Sequence, residues 1–191
     1  MTAERAAVLA AVAALVDRLP PDRQARVAVD GVTAAGKSTF ADEVADRTAR
    51  PALRVTVDDF HRPLAERRAR GDGPESYYRD TFDLPALRAT LDGASPDALL
   101  LVDGVFLLRP ELAGTWELSI FLAVDRAVAL ERAIERDAAR MGGREAARAR
   151  YGSRYFPGET LYLETVHPEQ LADVVVENTD PDRPRLDRPR S

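Results

Sequence analysis

Gly31-Val32-Thr33-Ala34-Ala35-Gly36-Lys37-Ser38 sets two glycines, a lysine and a hydroxyl at fixed offsets. The spacing G-x-x-x-x-G-K-[ST] can hold phosphate. Its glycines let the backbone turn tightly with N–H groups pointing inward. A helix starting at Lys37 adds unpaired N–H groups and the positive end of its dipole. In such a loop Lys37 reaches the β- and γ-phosphates of a nucleoside triphosphate, the Ser38 hydroxyl is a Mg²⁺ ligand, and Thr39 lies toward the α-phosphate. Lys37 is the single lysine in a chain with 26 arginines. That leaves no lysine for the Asn-Lys-x-Asp motif with which Ras-like GTPases read guanine.

Acids at strand ends supply the next candidates. Leu101-Val102-Asp103-Gly104 is an apolar run closed by a carboxylate, the form of a Walker B element that holds Mg²⁺ opposite Ser38. Asp58-Asp59 closes an earlier run. A carboxylate there can take the proton of an acceptor hydroxyl as phosphorus is attacked. Adjacent residues of an extended segment point opposite ways, so only one of the pair faces the reacting phosphate. Arg132, Arg136 and Arg140 recur at i, i+4 and i+8 on one helix face. They read either as a lid that closes on the transferring phosphate or as a solvated face. His61 follows the Asp pair and is a candidate to face substrate. Tyr77, Tyr78 and Phe82 read as packing before base stacking.

These residues need a scaffold. The chain has 191 residues, enough for one domain with a sizeable core, and its net charge of −5 gives no reason to expect nucleic acid or a membrane surface as partner. It has no cysteine, which excludes disulfides and thiolate chemistry. Ala6 to Val16 is too short to span a bilayer and reads as an amphipathic helix within residues 1–20. Strands predicted at 26–30, 53–57, 98–102, 116–124 and 173–177 alternate with helices. That order predicts an α/β domain whose five-stranded parallel sheet is flanked by helices, with ligands at the carboxyl ends of the strands. A single domain spans 1–179, with a lid region at 132–155 hinged near Gly142-Gly143. The proline- and arginine-rich tail, 180–191, reads as disordered.

Taken together, residues 31–39, Val57-Asp58-Asp59-Phe60-His61, Thr81-Phe82-Asp83, residues 102–106 and residues 131–137 resemble the uridine kinase family of P-loop kinases, which also includes kinases of pantothenate, ribulose phosphate and nicotinamide riboside. The resemblance runs over about residues 26–178 and implies the P-loop NTPase fold. It implies that Asp58, rather than Asp59, is the catalytic acid, that Asp83 holds ribose hydroxyls, and that His61 and Phe82 lie near the nucleoside. Arg132 and Arg136 match lid arginines, and Asn178 lies near the adenine. Three features depart from the family. Residues 84–98 leave no room for the β-hairpin that contacts the pyrimidine. Asp103 stands where uridine-cytidine kinases often have Glu. The lid reads Arg140-Met141-Gly142-Gly143-Arg144 instead of Arg-Gly-Arg.

The expectation is therefore an ATP- and Mg²⁺-dependent kinase acting on the primary hydroxyl of a small molecule, with a nucleoside as the first candidate. One alternative is a kinase for another small acceptor, such as a sugar, vitamin or antibiotic precursor. Another is an ATP-binding regulatory module without kinase activity. The need for ATP and the lack of a targeting signal suggest the cytoplasm. The sequence sets no oligomeric state.

Overall fold

A computed structural model describes residues 1–187. Its central strand, β1 (Ala25–Gly31), is apolar except for Arg26 and Asp30, and it runs directly into the phosphate-loop motif. β3 (Leu99–Asp103) is buried at every position, as expected of a strand covered on both faces. With β2 (Ala52–Thr56), β4 (Leu118–Ala123), β5 (Val174–Glu177) and β6 (Arg185–Asp187) these form one sheet in the order β2-β3-β1-β4-β5-β6. The first five strands are parallel, and β6 pairs antiparallel with β5.

The sheet thus has six strands where the sequence predicted five. The sixth comes from the stretch read as a disordered tail. Composition pointed away from order there, but specific bonds hold the segment. Arg5 donates to the Pro181 carbonyl at 2.6 Å, and Leu186 packs against the core. Pro184 lies just outside the strand, so the three-residue edge carries no proline. Residues 188–191 of the expected tail lie outside the described residues.

Helices cover both faces of the sheet. α1 (Ala3–Val16), capped by Thr2, buries Val8, Leu9, Val12 and Val16. It is joined to α2 (Lys37–Ala45) by an Arg5–Glu43 ion pair at 2.6 Å. α3 (Leu64–Ala69), α4 (Pro74–Asp80) and α5 (Leu84–Asp92) follow β2. α6 (Arg126–Met141) starts at Asp125, whose carboxylate accepts from the N–H groups of Ala127 and Val128. Residues 142–170 are mostly helical. They form α7 (Arg144–Arg150), a π turn at Tyr151–Tyr155, α8 (Phe156–Val166) and α9 (Pro168–Leu171). One core packs α1, α2 and α6 on the sheet, and a second packs α4, α5 and α8 on its other face.

Register fixes where chemistry can occur. Asp103 pairs with Val29 of β1 on one side and with Thr56 of β2 on the other. The phosphate loop, the Asp58 turn and Asp103 therefore emerge side by side at the carboxyl edge of the sheet, as parallel α/β folds place their ligand sites.

Gly158 allows α8 to dock closely on α4. A Cβ there would stand 2.7 Å from both the Pro74 carbonyl oxygen and Tyr77 Cδ1. Neither can move away without shifting α4. Gly158→Ala is expected to destabilise the protein by about 1–3 kcal/mol. The thermal midpoint should fall by about 2–4 °C for each kcal/mol, which a melting curve against wild type measures.

Candidate functional site

The phosphate loop is built by backbone geometry. Gly36 is the N-cap of α2 at φ +88°, in the left-handed region that favours glycine. A Cβ on it would also press on Asn178 Nδ2 at 3.1 Å. Asn178 is buried and donates from Nδ2 to the Ala35 carbonyl at 2.8 Å, while its own N–H reaches the Ala123 carbonyl. It braces the loop from the β5 side. Its side chain bonds the loop and is not among the residues lining the cleft. Within the loop Lys37 Nζ donates to the Val32 carbonyl at 2.8 Å. Val32, Ala35 and Gly31 are buried, while Thr33, Ala34, Gly36, Lys37, Ser38 and Thr39 line a cleft of about 840 Å³.

Two acids hold the loop that the sequence reading did not single out. Asp30, fully buried, accepts from the N–H of Gly31 at 2.7 Å, from that of Leu108 at 3.1 Å and from the Tyr162 hydroxyl. Burial pushes its carboxyl above the usual range against the pull of those bonds. Glu159 of α8 is 1% exposed, and its Oε1 accepts from the Thr33 N–H at 2.7 Å. Burial raises its carboxyl as well. Burial lowers Lys37, opposed by Glu159, Asp30, Asp58 and Asp103. The signal for Asp30 was a lone acid inside an apolar strand. Glu159 gave none, because its role comes from α8 docking beside residue 33, far away in sequence.

Ser38 Oγ donates to Asp103 Oδ2 at 2.6 Å, which brings together the two expected metal ligands. The other oxygen, Oδ1, is held by Arg54 Nη2 at 2.7 Å. Arg54 also bonds Asp42 at 2.8 Å and the Leu101 carbonyl at 2.7 Å, so β2 and α2 together aim the carboxylate. A hydroxyl and one carboxylate oxygen are hard oxygen donors of the kind Mg²⁺ takes, alongside substrate phosphates and water. Among the described residues no group of three His, Cys, Asp or Glu could hold a metal alone.

The acceptor side starts at residues Val57–Phe60, which form a 3-10 turn rather than the extended segment assumed for the acid pair. Asp58 lines the cleft and Asp59 does not. His61 also lines it, with Nδ1 2.6 Å from the Asp58 carbonyl oxygen and its ring 4.8 Å from Phe82. A bridge between His61 and Phe82 ties this turn to the start of α5. Phe82 and Tyr77 are buried and reach the cleft wall, whereas Tyr78 packs edge-on against Phe106 away from it. Asp83 is not on the cleft wall. Its Oδ1 caps α5 by accepting from Ala86 N–H at 3.1 Å, and Oδ2 lies 3.7 Å from Arg62.

Arg132, Arg136 and Arg140 all face the cleft. Arg132 donates to the carbonyls of Asn178 and Thr179. Arg136 and Arg140 pair with Asp137 at 2.9 and 3.2 Å, and Tyr151 bonds the same carboxylate. Burial opposes the Asp137 charge, but Arg136, Tyr151 and Arg140 outweigh it and hold the carboxyl down at about 2. Arg144 and Arg148 pair with glutamates of α6 away from the cleft. Arg150 and Arg154 grip Asp72, fastening the region after α6 to the loop before α4.

No protein-family model matches the chain, and no curated protein matches it. Among solved structures, it is similar to a provisionally named fructose transport system kinase from a Silicibacter species. The TM-score is 0.68 at 23% identity, covering 86% of this chain and 94% of that one. It is also similar to a possible uridine kinase from Bacillus stearothermophilus, with TM-score 0.68, 19% identity, and 87% and 96% coverage. The shared fold is the α/β P-loop fold with a mostly parallel sheet. No helix among the described residues is long and apolar enough to cross a membrane.

The Asp137 cluster has a pH signature. Its folded carboxyl titrates below its ordinary value of 3.8, so its stabilisation is complete above that value and disappears as pH falls through about 2. Because Arg136 and Arg140 are exposed, screening reduces the gain, and Asp137→Asn should cost about 1–2 kcal/mol at pH 7. Denaturant titrations of both proteins should show that gap narrowing as pH drops below about 4.

Proposed function

We propose that the protein is an ATP- and Mg²⁺-dependent kinase that phosphorylates the primary hydroxyl of a small molecule. One observation carries this reading. A single cleft gathers Lys37 of the phosphate loop, the Ser38–Asp103 pair, the Asp58 carboxylate and three arginines of α6. The first two groups suit a nucleoside triphosphate, and an acid facing the same space suits an attacking hydroxyl.

The residues divide the work as follows. The N–H groups at the start of α2 and the Lys37 ammonium hold the phosphate chain. Added phosphate charge would favour the ammonium form that burial opposes. Ser38 and Asp103 would hold Mg²⁺, which when bound neutralises charge on the phosphates. Asp58 accepts the hydroxyl proton while the acceptor oxygen bonds to the γ-phosphorus and the bond to the β-phosphate oxygen breaks. The products are the phosphorylated acceptor and ADP, and the proton passes from Asp58 to water. Arg132, Arg136 and Arg140 neutralise the transferring group. For the latter two, this requires exchange of Asp137 for phosphate. Positioning and electrostatics supply most of such a rate enhancement. A cytoplasmic location, with its ATP supply, belongs to this reading.

A nucleoside acceptor has the family resemblance in its favour. The state of Asp83 weighs toward another small acceptor, since both its oxygens are engaged and it stands off the cleft wall. A regulatory module is less favoured because it has no need of Asp58 facing the phosphate loop.

Asp58→Asn should lower kcat by about 100- to 10,000-fold and leave ATP affinity within a few fold. Acceptor-dependent ADP release and ATP binding together check this. Full activity of the variant would remove Asp58 from the mechanism. ATP hydrolysis that no acceptor stimulates would favour the module.

A further inference from the structure

The cleft contains an arginine to which neither the donor nor the fold assigns a task. Arg67 of α3 lines the cleft together with Asp58, His61, Tyr77 and Phe82. Its Nε donates to the Arg62 carbonyl at 2.9 Å, which anchors the guanidinium beside the Asp58–His61 turn. That is its only side-chain hydrogen bond among the described residues, and no carboxylate among them pairs with it. Other arginines around the cleft are paired or bonded. Arg62 lies against Asp83, and Arg70 pairs with Asp80 at 3.2 Å. On the opposite wall Arg136 and Arg140 share Asp137, and Arg132 is bonded to two carbonyls.

We propose that the acceptor is an alcohol bearing an anionic group, a carboxylate or a phosphate ester, and that Arg67 binds that group. The proposal rests on the kinase reading above and names the substrate class of the same site. The position of Arg67 assigns it to the acceptor. It stands on the element that follows the Asp58 turn, whereas the triphosphate already has the loop N–H groups, Lys37 and the α6 arginines. Phe82 and Tyr77 line the same cleft and bring no competing charge, so a cation there without a counter-ion attracts an anion. With Nε fixed, the two terminal nitrogens remain to make the paired hydrogen bonds that match a carboxylate or phosphate. A neutral nucleoside would leave this charge unanswered.

The test uses acceptors that keep a primary hydroxyl and differ in charge: glycerol against glycerate and glycerol 3-phosphate, and uridine against uridine 3′-phosphate. Wild-type protein should release ADP with a charged member of a pair at a kcat/KM at least about tenfold above its neutral partner. The carboxylate and phosphate members show which anion is preferred. Arg67→Gln should raise KM for that acceptor by about 10- to 100-fold, the size of a lost charge-assisted hydrogen bond. KM for ATP should change by less than about twofold, and Arg67→Lys should recover part of the loss. A neutral acceptor used as well as its charged partner would overturn the proposal and leave the kinase reading intact. An Arg67→Gln effect on ATP rather than on the acceptor would also overturn it, assigning Arg67 to the donor. If no member of the panel stimulates ADP release in wild type, both the proposal and the kinase reading fail, whereas failure of the charge comparison alone leaves the latter standing.

Discussion

The carboxyl edge of this sheet is organised around one ammonium group. Burial disfavours the charge on Lys37, and opposing charge must stand close to keep it. Four acids do so from four different elements: Glu159 from α8, Asp30 from β1, Asp58 from the turn after β2, and Asp103 from the end of β3. Asp30 and Glu159 are buried, so they need hydrogen-bond partners of their own and find them in the loop backbone at Gly31 and Thr33. The two buried acids thus stand near the lysine and also hold the loop backbone, and the Thr33 bond ties α8 to the loop.

Second-order supports follow the same logic. Asp103 is kept in place by Arg54, which reaches it from the neighbouring strand. Asn178 bonds the Ala35 carbonyl from below. The loop is therefore gripped from β5, from α8 and from within β1. Such over-determination fixes the N–H groups of the loop in one geometry, the condition for preorganised dipoles.

What the sequence revealed was local in the chain. The phosphate loop is one contiguous motif with its strand before and its helix after, so it could be read from eight residues. Asp103 was legible because it ends an unbroken apolar strand. The choice of Asp58 over Asp59 came from family resemblance; the geometric premise behind the ambiguity did not hold, since the pair sits in a 3-10 turn. Arg54 and Glu159 were illegible for a common reason. Each acts through a tertiary contact that no periodicity encodes, and in an arginine-rich chain no single arginine stands out. The sixth strand was missed because composition argued for disorder, while a few specific bonds to α1 and β5 decided the outcome.

The sole lysine also gives the molecule an unusual covalent profile. Its single ε-amine lies inside the phosphate loop, and every other basic side chain apart from the two histidines is a guanidinium. Lysine is the residue that acetyl, methyl and ubiquitin groups are attached to. On this chain the only lysine side chain able to carry those modifications is Lys37 of the loop. An amine-selective reagent thus has one side-chain target besides the amino terminus, and its reaction there reports directly on whether the loop is occupied.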